Sequence, residues 1–149
     1  CDAYETDTML AGEQRILARM QEIERIRAEK GRDAVSAKEN AIYDCLEVSY
    51  EMYRRGYSFG PLDLKRSDAT RFMVDPDDHH KLIPPFTSID GLGTAVGTSV
   101  TKARSQNMFI SKEDLALRTQ LSQSQIDTLE RMGVLKDLQE TNQLSFDLF

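Results

Sequence analysis

The chain reads as a mainly α fold: an N-terminal helical pair, a small β-hairpin, a glycine-rich turn opening onto further short helices, and an extended C-terminal tail. Three observations predict it. Apolar residues return at three- and four-residue steps before Lys30 and again before Gly56, the period of a helix with one buried face. Turn chemistry, Asp75-Pro76-Asp77-Asp78, separates two short extended runs. Beyond Phe109, serines followed three residues later by Asp114 and Gln125 are helix N-terminal signatures.

At 149 residues and 40% hydrophobic composition the chain amounts to one ordinary domain, able to bury about 68–70% of its unfolded surface without metals or disulfides. Acids outnumber strong bases 25 to 19, a net charge of -6, which excludes a uniformly cationic nucleic-acid binder. The imbalance is uneven: residues 1–60 carry 12 acids and 9 bases, 61–110 carry 6 and 6, and 111–149 carry 7 and 4. A polyanion contact is therefore expected in the neutral middle, where local cations and backbone donors set phosphate affinity. Cys1 and Cys45 make no disulfide framework and have no neighbour at zinc-ligand spacing, which favours a reducing compartment. No apolar run approaches the roughly 20 residues of a membrane span, and the acidic start lacks the regions of a signal peptide. The expected location is cytoplasmic, with no membrane partner. A start at cysteine suggests a piece of a longer polypeptide.

The first helix is expected from Gly12 to Lys30 through Ile16, Leu17, Met20, Ile23 and Ile26, stopping at Gly31. The second runs through Ile42, Cys45, Leu46, Ser49, Met52 and Tyr53, with Arg54 and Arg55 in its last turn and Gly56 as its stop. A short connection makes them an antiparallel pair. Tyr43, Tyr50, Tyr53 and Tyr57 read as packing residues with wet hydroxyls rather than a base-stacking platform. Apolar alternations at 58–64 and 71–74, with the turn before Leu82, predict the hairpin. The cluster Asp75, Asp77, Asp78, His79 and His80 matches no metal-ligand spacing and reads as an exposed turn.

Chemistry concentrates after Pro84-Pro85-Phe86, in Ser88-Ile89-Asp90-Gly91-Leu92-Gly93-Thr94. Glycine permits positive φ and removes the side chain that keeps the main chain from a ligand. The turn opens onto a helix from about Thr94 to Arg104, whose unpaired N–H groups and dipole favour an anion such as phosphate. Leu92 would plug the turn into the core, while Lys102 and Arg104 add positive charge. Downstream, helices through Leu115 and Leu117 and through Ile126, Leu129 and Met132 flank a short turn at 119–121.

The apolar-x-Gly-apolar-Gly pattern resembles the helix-hairpin-helix motif, which grips the sugar-phosphate backbone without reading sequence. The second helix–turn–helix looks like a degenerate partner lacking the glycines, giving a paired helix-hairpin-helix unit whose second half mainly supports the first. The resemblance implies phosphate donors at the amides of Gly91, Gly93 and Thr94, and a DNA-binding set of Ser88, Gly91, Leu92, Gly93, Thr94, Lys102 and Arg104. Gly97 stands where that family often has alanine. A monovalent cation, bound in some members, would use the carbonyls of Thr87, Ile89 and Leu92; no other metal is expected.

The tail Gln143-Leu144-Ser145-Phe146-Asp147-Leu148-Phe149 has the spacing of a docking peptide at a free end. It resembles the sliding-clamp binding peptide of bacterial replication proteins, with Gln143 orienting it by hydrogen bonds and Leu144, Phe146, Leu148 and Phe149 filling pockets. Taken with Arg54-Arg55-Gly56-Tyr57-Ser58-Phe59, Pro61 to Thr70, Leu82-Ile83-Pro84-Pro85-Phe86 and Phe109 to Leu115, nearly the whole chain resembles the C-terminal end of the PolC-type DNA polymerase III alpha subunit of Gram-positive bacteria. That family extends DNA with two magnesium ions and carries a 3'-5' exonuclease. None of those catalytic motifs is present here, so the chain alone is expected to be non-catalytic and to hold no cofactor, magnesium belonging to the parent nucleotidyltransferase. The resemblance implies a helical end of the fingers (1–58), a short β-hairpin connector (59–85), a helix-hairpin-helix duplex-binding module (86–136) and a clamp-binding tail (137–149). Its partners would be duplex DNA, the sliding clamp and the rest of the polymerase chain. By position Lys65, Arg66 and Ser67 would also face nucleic acid, against the plainer reading of a solvated loop. The competing readings are a free-standing helix-hairpin-helix accessory protein of repair or recombination, and a structural interaction protein in which the glycines only make a turn.

Overall fold

The computed structural model describes residues 3–142. Within them lie helices α1 (Thr6–Leu10), α2 (Glu13–Lys30), α3 (Ala37–Arg54), α4 (Thr94–Gln106), α5 (Lys112–Arg118) and α6 (Gln123–Arg131), and strands β1 (Ser58–Phe59), β2 (Met73–Val74) and β3 (Lys81–Ile83). The mainly helical class is the one the sequence predicts. Among the described residues no helix is long and apolar enough to cross a membrane.

Of the stripes that periodicity marks, α2 buries Ile16, Met20 and Ile23 but leaves Leu17 exposed, and α3 buries Ile42, Cys45, Leu46 and Ser49. They run antiparallel, because Arg54 at the end of α3 pairs with Glu13 at the start of α2 at 3.3 Å, while Arg27 near the end of α2 donates to Asn40 in α3. A capping box starts α3: Ser36 Oγ accepts the Glu39 amide at 3.1 Å and the Ser36 amide donates to Glu39 Oε2 at 3.1 Å. Tyr43, Tyr50 and Tyr53 pack against this core while Tyr57 is exposed; Tyr53 donates to the Met9 carbonyl at 3.0 Å and Tyr43 to Glu24. That bond to Glu24, reinforced by burial, pushes the Tyr43 phenol up to about 12. Rings of Tyr53, Phe59, Phe72 and Tyr4 then chain through edge-to-face and tilted contacts from this core to the sheet.

The expected hairpin is present as β2–β3, in antiparallel register Met73↔Ile83. A third strand joins it: β1 pairs parallel with β3 and the order is β1-β3-β2. Asp75 organises the turn, its Oδ1 accepting the Asp77 amide at 2.8 Å and Arg66 Nη1 at 3.1 Å. Arg66 also bonds Asp63 at 2.9 Å, and fully buried Ser67 accepts the Asp63 amide at 2.9 Å. Arg66 and Ser67 thus knot a loop together; Ser67 is buried, which fits neither a nucleic-acid contact nor a solvated loop, while Lys65 and Arg66 stay exposed. The knot sets carboxylate acidity. The Asp77 amide and then Arg66 hold Asp75 below the usual range. Burial pushes Asp63 up, but Arg66 and the amides of Lys65 and Arg66 outweigh it. Asp68 is lowered by the amides of Thr70 and Arg71.

A second core gathers Leu62, Leu64, Phe86, Ile89, Leu92, Val100, Leu115, Ile126 and Leu129 beneath α4, α5 and α6. Helix α4 crosses the loop at Ala69 so closely that a Cβ on Gly97 would lie 3.1 Å from the Ala69 carbonyl oxygen and 3.5 Å from Phe86 Cβ. That strand of loop cannot yield freely, because the Phe86 and Thr87 amides bond the Asp68 and Ala69 carbonyls at 3.0 and 3.1 Å.

Gly97→Leu is therefore expected to destabilise the chain by about 1–3 kcal/mol through overpacking, read as a lower urea midpoint at unchanged m-value. The depressed carboxylate pKa values stabilise the fold above the unfolded value of about 4, and that contribution is lost as pH falls through the folded values. The urea midpoint should drop between about pH 5 and about pH 3, and drop less in Arg66→Met; an equal drop would remove Arg66 as a cause.

Candidate nucleic-acid interface

The site begins where two buried prolines, Pro84 and Pro85, end the sheet. Lacking amides, they leave room for only a single 3-10 turn, Phe86–Ser88. The first unit is therefore a short 3-10 turn, the glycine bend and then α4. The Leu92 amide closes the bend on the Ile89 carbonyl at 3.1 Å, and Leu92, 3% exposed, plugs the second core. Gly91 takes φ +80, the left-handed region that a side chain strains. Gly93 caps α4 in an extended conformation.

Both glycines are exposed, and a Cβ on either would meet nothing within 4 Å. Among the described residues no acceptor receives the amides of Gly91, Gly93 or Thr94. Three main-chain donors on exposed residues are thus unpaired at the positive end of a 13-residue helix. Of the three carbonyls expected to hold a cation, that of Ile89 already closes the bend, while the Gly91 carbonyl, outside that set, accepts Gln125 Nε2 at 3.2 Å.

The other expected contacts divide. Thr94 and Lys102 are exposed. Ser88 is buried, its hydroxyl donating to the Pro85 carbonyl at 2.6 Å and its carbonyl accepting the Thr6 hydroxyl. It supports the turn from inside, and this replaces its expected role as a DNA contact. Arg104 is half-buried and Nη1 donates to the carbonyls of Leu64 and Ser67 at 3.0 and 2.8 Å. Burial depresses its pKa against the pull of Asp68 and Asp63. It staples α4 to the loop instead of projecting a free charge.

In the second unit, Ser111 accepts the Asp114 amide at 2.9 Å and Ser122 forms a capping box with Gln125, as the sequence signatures indicate. Its turn is closed to ligands: the amides of Gln120, Leu121 and Ser122 donate to Ser99 Oγ, Thr119 Oγ1 and Gln125 Oε1 at 2.9, 3.3 and 2.9 Å. The start of α5 is closed too, because the Lys112 and Glu113 amides donate to the Gln139 and Glu140 carbonyls at 2.8 and 3.2 Å.

Two residues escaped sequence reasoning. Arg118 caps α4, donating to the Ala103 and Asn107 carbonyls at 2.7 Å each with its guanidinium 4.9 Å from the Phe109 ring centre. Lys38 reaches Asp90 on the bend, Nζ to Oδ2 3.4 Å. Neither residue carries a motif; only the fold brings them there. The proposed clamp contacts Gln143, Leu144, Phe146, Leu148 and Phe149 lie outside the described residues.

Comparison with known proteins agrees with this geometry. A family described as "Helix-hairpin-helix motif" matches residues 56–144. DNA polymerase III PolC-type from Oceanobacillus iheyensis is 42% identical over 97% of this chain and 10% of its own length. The proteins of that name from Bacillus subtilis and Lactococcus lactis are 44% and 42% identical over 97% and 99% of this chain. The chain spans about a tenth of the length of these curated relatives. An open glycine bend at the head of α4, backed by a closed second unit and matched along nearly the full chain, identifies this sequence as a member of the helix-hairpin-helix family homologous to a segment of PolC-type DNA polymerase III.

Proposed function

We propose that the chain is the non-catalytic C-terminal end of a replicative DNA-directed DNA polymerase, holding duplex DNA by its sugar-phosphate backbone and tethering the enzyme to a sliding clamp. The observation that carries this reading is the set of unpaired, exposed amides at Gly91, Gly93 and Thr94 at the N-terminus of α4. Backbone donors read no base, which suits an enzyme that copies every sequence. Lys102, exposed farther along α4, adds positive charge to the same helix. On this reading nucleotidyl transfer, its magnesium and any exonuclease belong to other parts of the polymerase.

The tail supplies the second attachment. Gln143, Leu144, Phe146, Leu148 and Phe149 have the composition and spacing of a clamp-docking peptide. Two attachments convert escape from DNA into a two-step event, so residence lengthens through effective concentration without any new catalytic group.

Gly93 offers a clean test, because its backbone is extended and a side chain there meets only open space. Gly93→Leu should leave the circular dichroism unchanged and weaken salt-dependent binding to a fluorescent duplex about tenfold or more, the equivalent of losing a charge-assisted hydrogen bond. Unaltered affinity would count against the bend as the grip. Titration of the clamp with the chain ending at Asn142 should show binding lost relative to the full chain; equal binding would dismiss the tail assignment.

A further inference from the structure

We propose that Lys38 is a phosphate ligand of the same duplex-binding surface, carried to the glycine bend by the helical pair and parked on Asp90 when no DNA is bound. The inference rests on the duplex-binding reading above. Lys38 is the second residue of α3, where the positive end of the helix dipole disfavours a cation; its placement gains nothing for α3 itself. Its Nζ lies 3.4 Å from Asp90 Oδ2, and the side chains are 61% and 82% exposed. An ion pair this open contributes little to stability and exchanges readily for another anion.

The surroundings supply that anion's other contacts. Lys38 shares the wall of a cleft of about 490 Å³ with Thr87, Asp90, Gly91 and Gly93. Two of these bear the unpaired amides. A phosphate seated on them would still call for a cation to match its charge. Arg104 cannot serve, since it is stapled to the 62–69 loop. Lys38 can: a lysine is a point charge on a four-carbon stem that turns without breaking a bidentate fork. Moving from Asp90 to the backbone of the duplex, it would join the helical pair and the hairpin unit into one electrostatic surface.

The test uses the full chain and a fluorescent duplex over a salt series, with circular dichroism as the check on folding. Lys38→Gln should weaken binding about fivefold and reduce the slope of log K against log salt by about 0.9, the signature of one phosphate contact removed. Lys38→Arg should restore both. The loss and the slope change should persist when Lys38→Gln is made in an Asp90→Asn background, because a direct contact does not need Asp90. If the loss vanishes in that background, Lys38 only offsets Asp90 and the proposal is overturned. It is also overturned if Lys38→Gln matches the wild type while Gly93→Leu abolishes binding, an outcome that leaves the duplex-binding reading standing. Wild-type binding by Gly93→Leu as well would overturn both.

Discussion

The approach of α4 to the Ala69 backbone is the constraint on which the site depends. With hydrogen in place of a methyl at Gly97, the helix sits against a carbonyl at a distance that other side chains would contest. Arg104 then fixes the loop from the far end of the same helix by bonding two of its carbonyls. One helix therefore carries the packing contact, the staple and the open amides together. Moving α4 away from the loop would shift the bend that precedes it, because Leu92 is anchored in the same core.

The two hairpin units divide labour through their unpaired groups rather than through their shape. In the first, closure of the bend uses the Leu92 amide and leaves its neighbours open. In the second, the side chains of Ser99, Thr119 and Gln125 take every amide of the turn from Gln120 to Ser122. Gln125 links them, since it caps its own helix with one amide atom and bonds the Gly91 carbonyl with the other. A single side chain thus holds the supporting unit in register with the open one.

Local signals in the sequence account for most of this. The helical stripes of α2 and α3, the Asp75 turn and the serine caps of α5 and α6 are short-range patterns, and each appears where its residues indicate. The glycine bend was legible for the same reason, since positive φ and a bare main chain are properties of the residue itself. What sequence could not reveal is where long side chains end. Arg104 looked like a phosphate ligand until its guanidinium was seen bonding carbonyls 37 and 40 residues away. Lys38 and Asp90, 52 residues apart, carry no shared pattern. The alternation at 58–64 marks β1 as extended, but its parallel pairing, Ser58 with Lys81, joins distant residues and has no local signal.

The strap formed by residues 139–142 has a mechanical meaning. Its carbonyls bond the first amides of α5, the Asn142 amide bonds Glu113 at 2.9 Å, and Lys112 pairs with Glu140. A pull transmitted through Asn142 would load these bonds together, in shear, and pass directly into the helices behind the bend. Tension at that end of the chain is therefore shared across the hairpin unit instead of peeling it open one bond at a time.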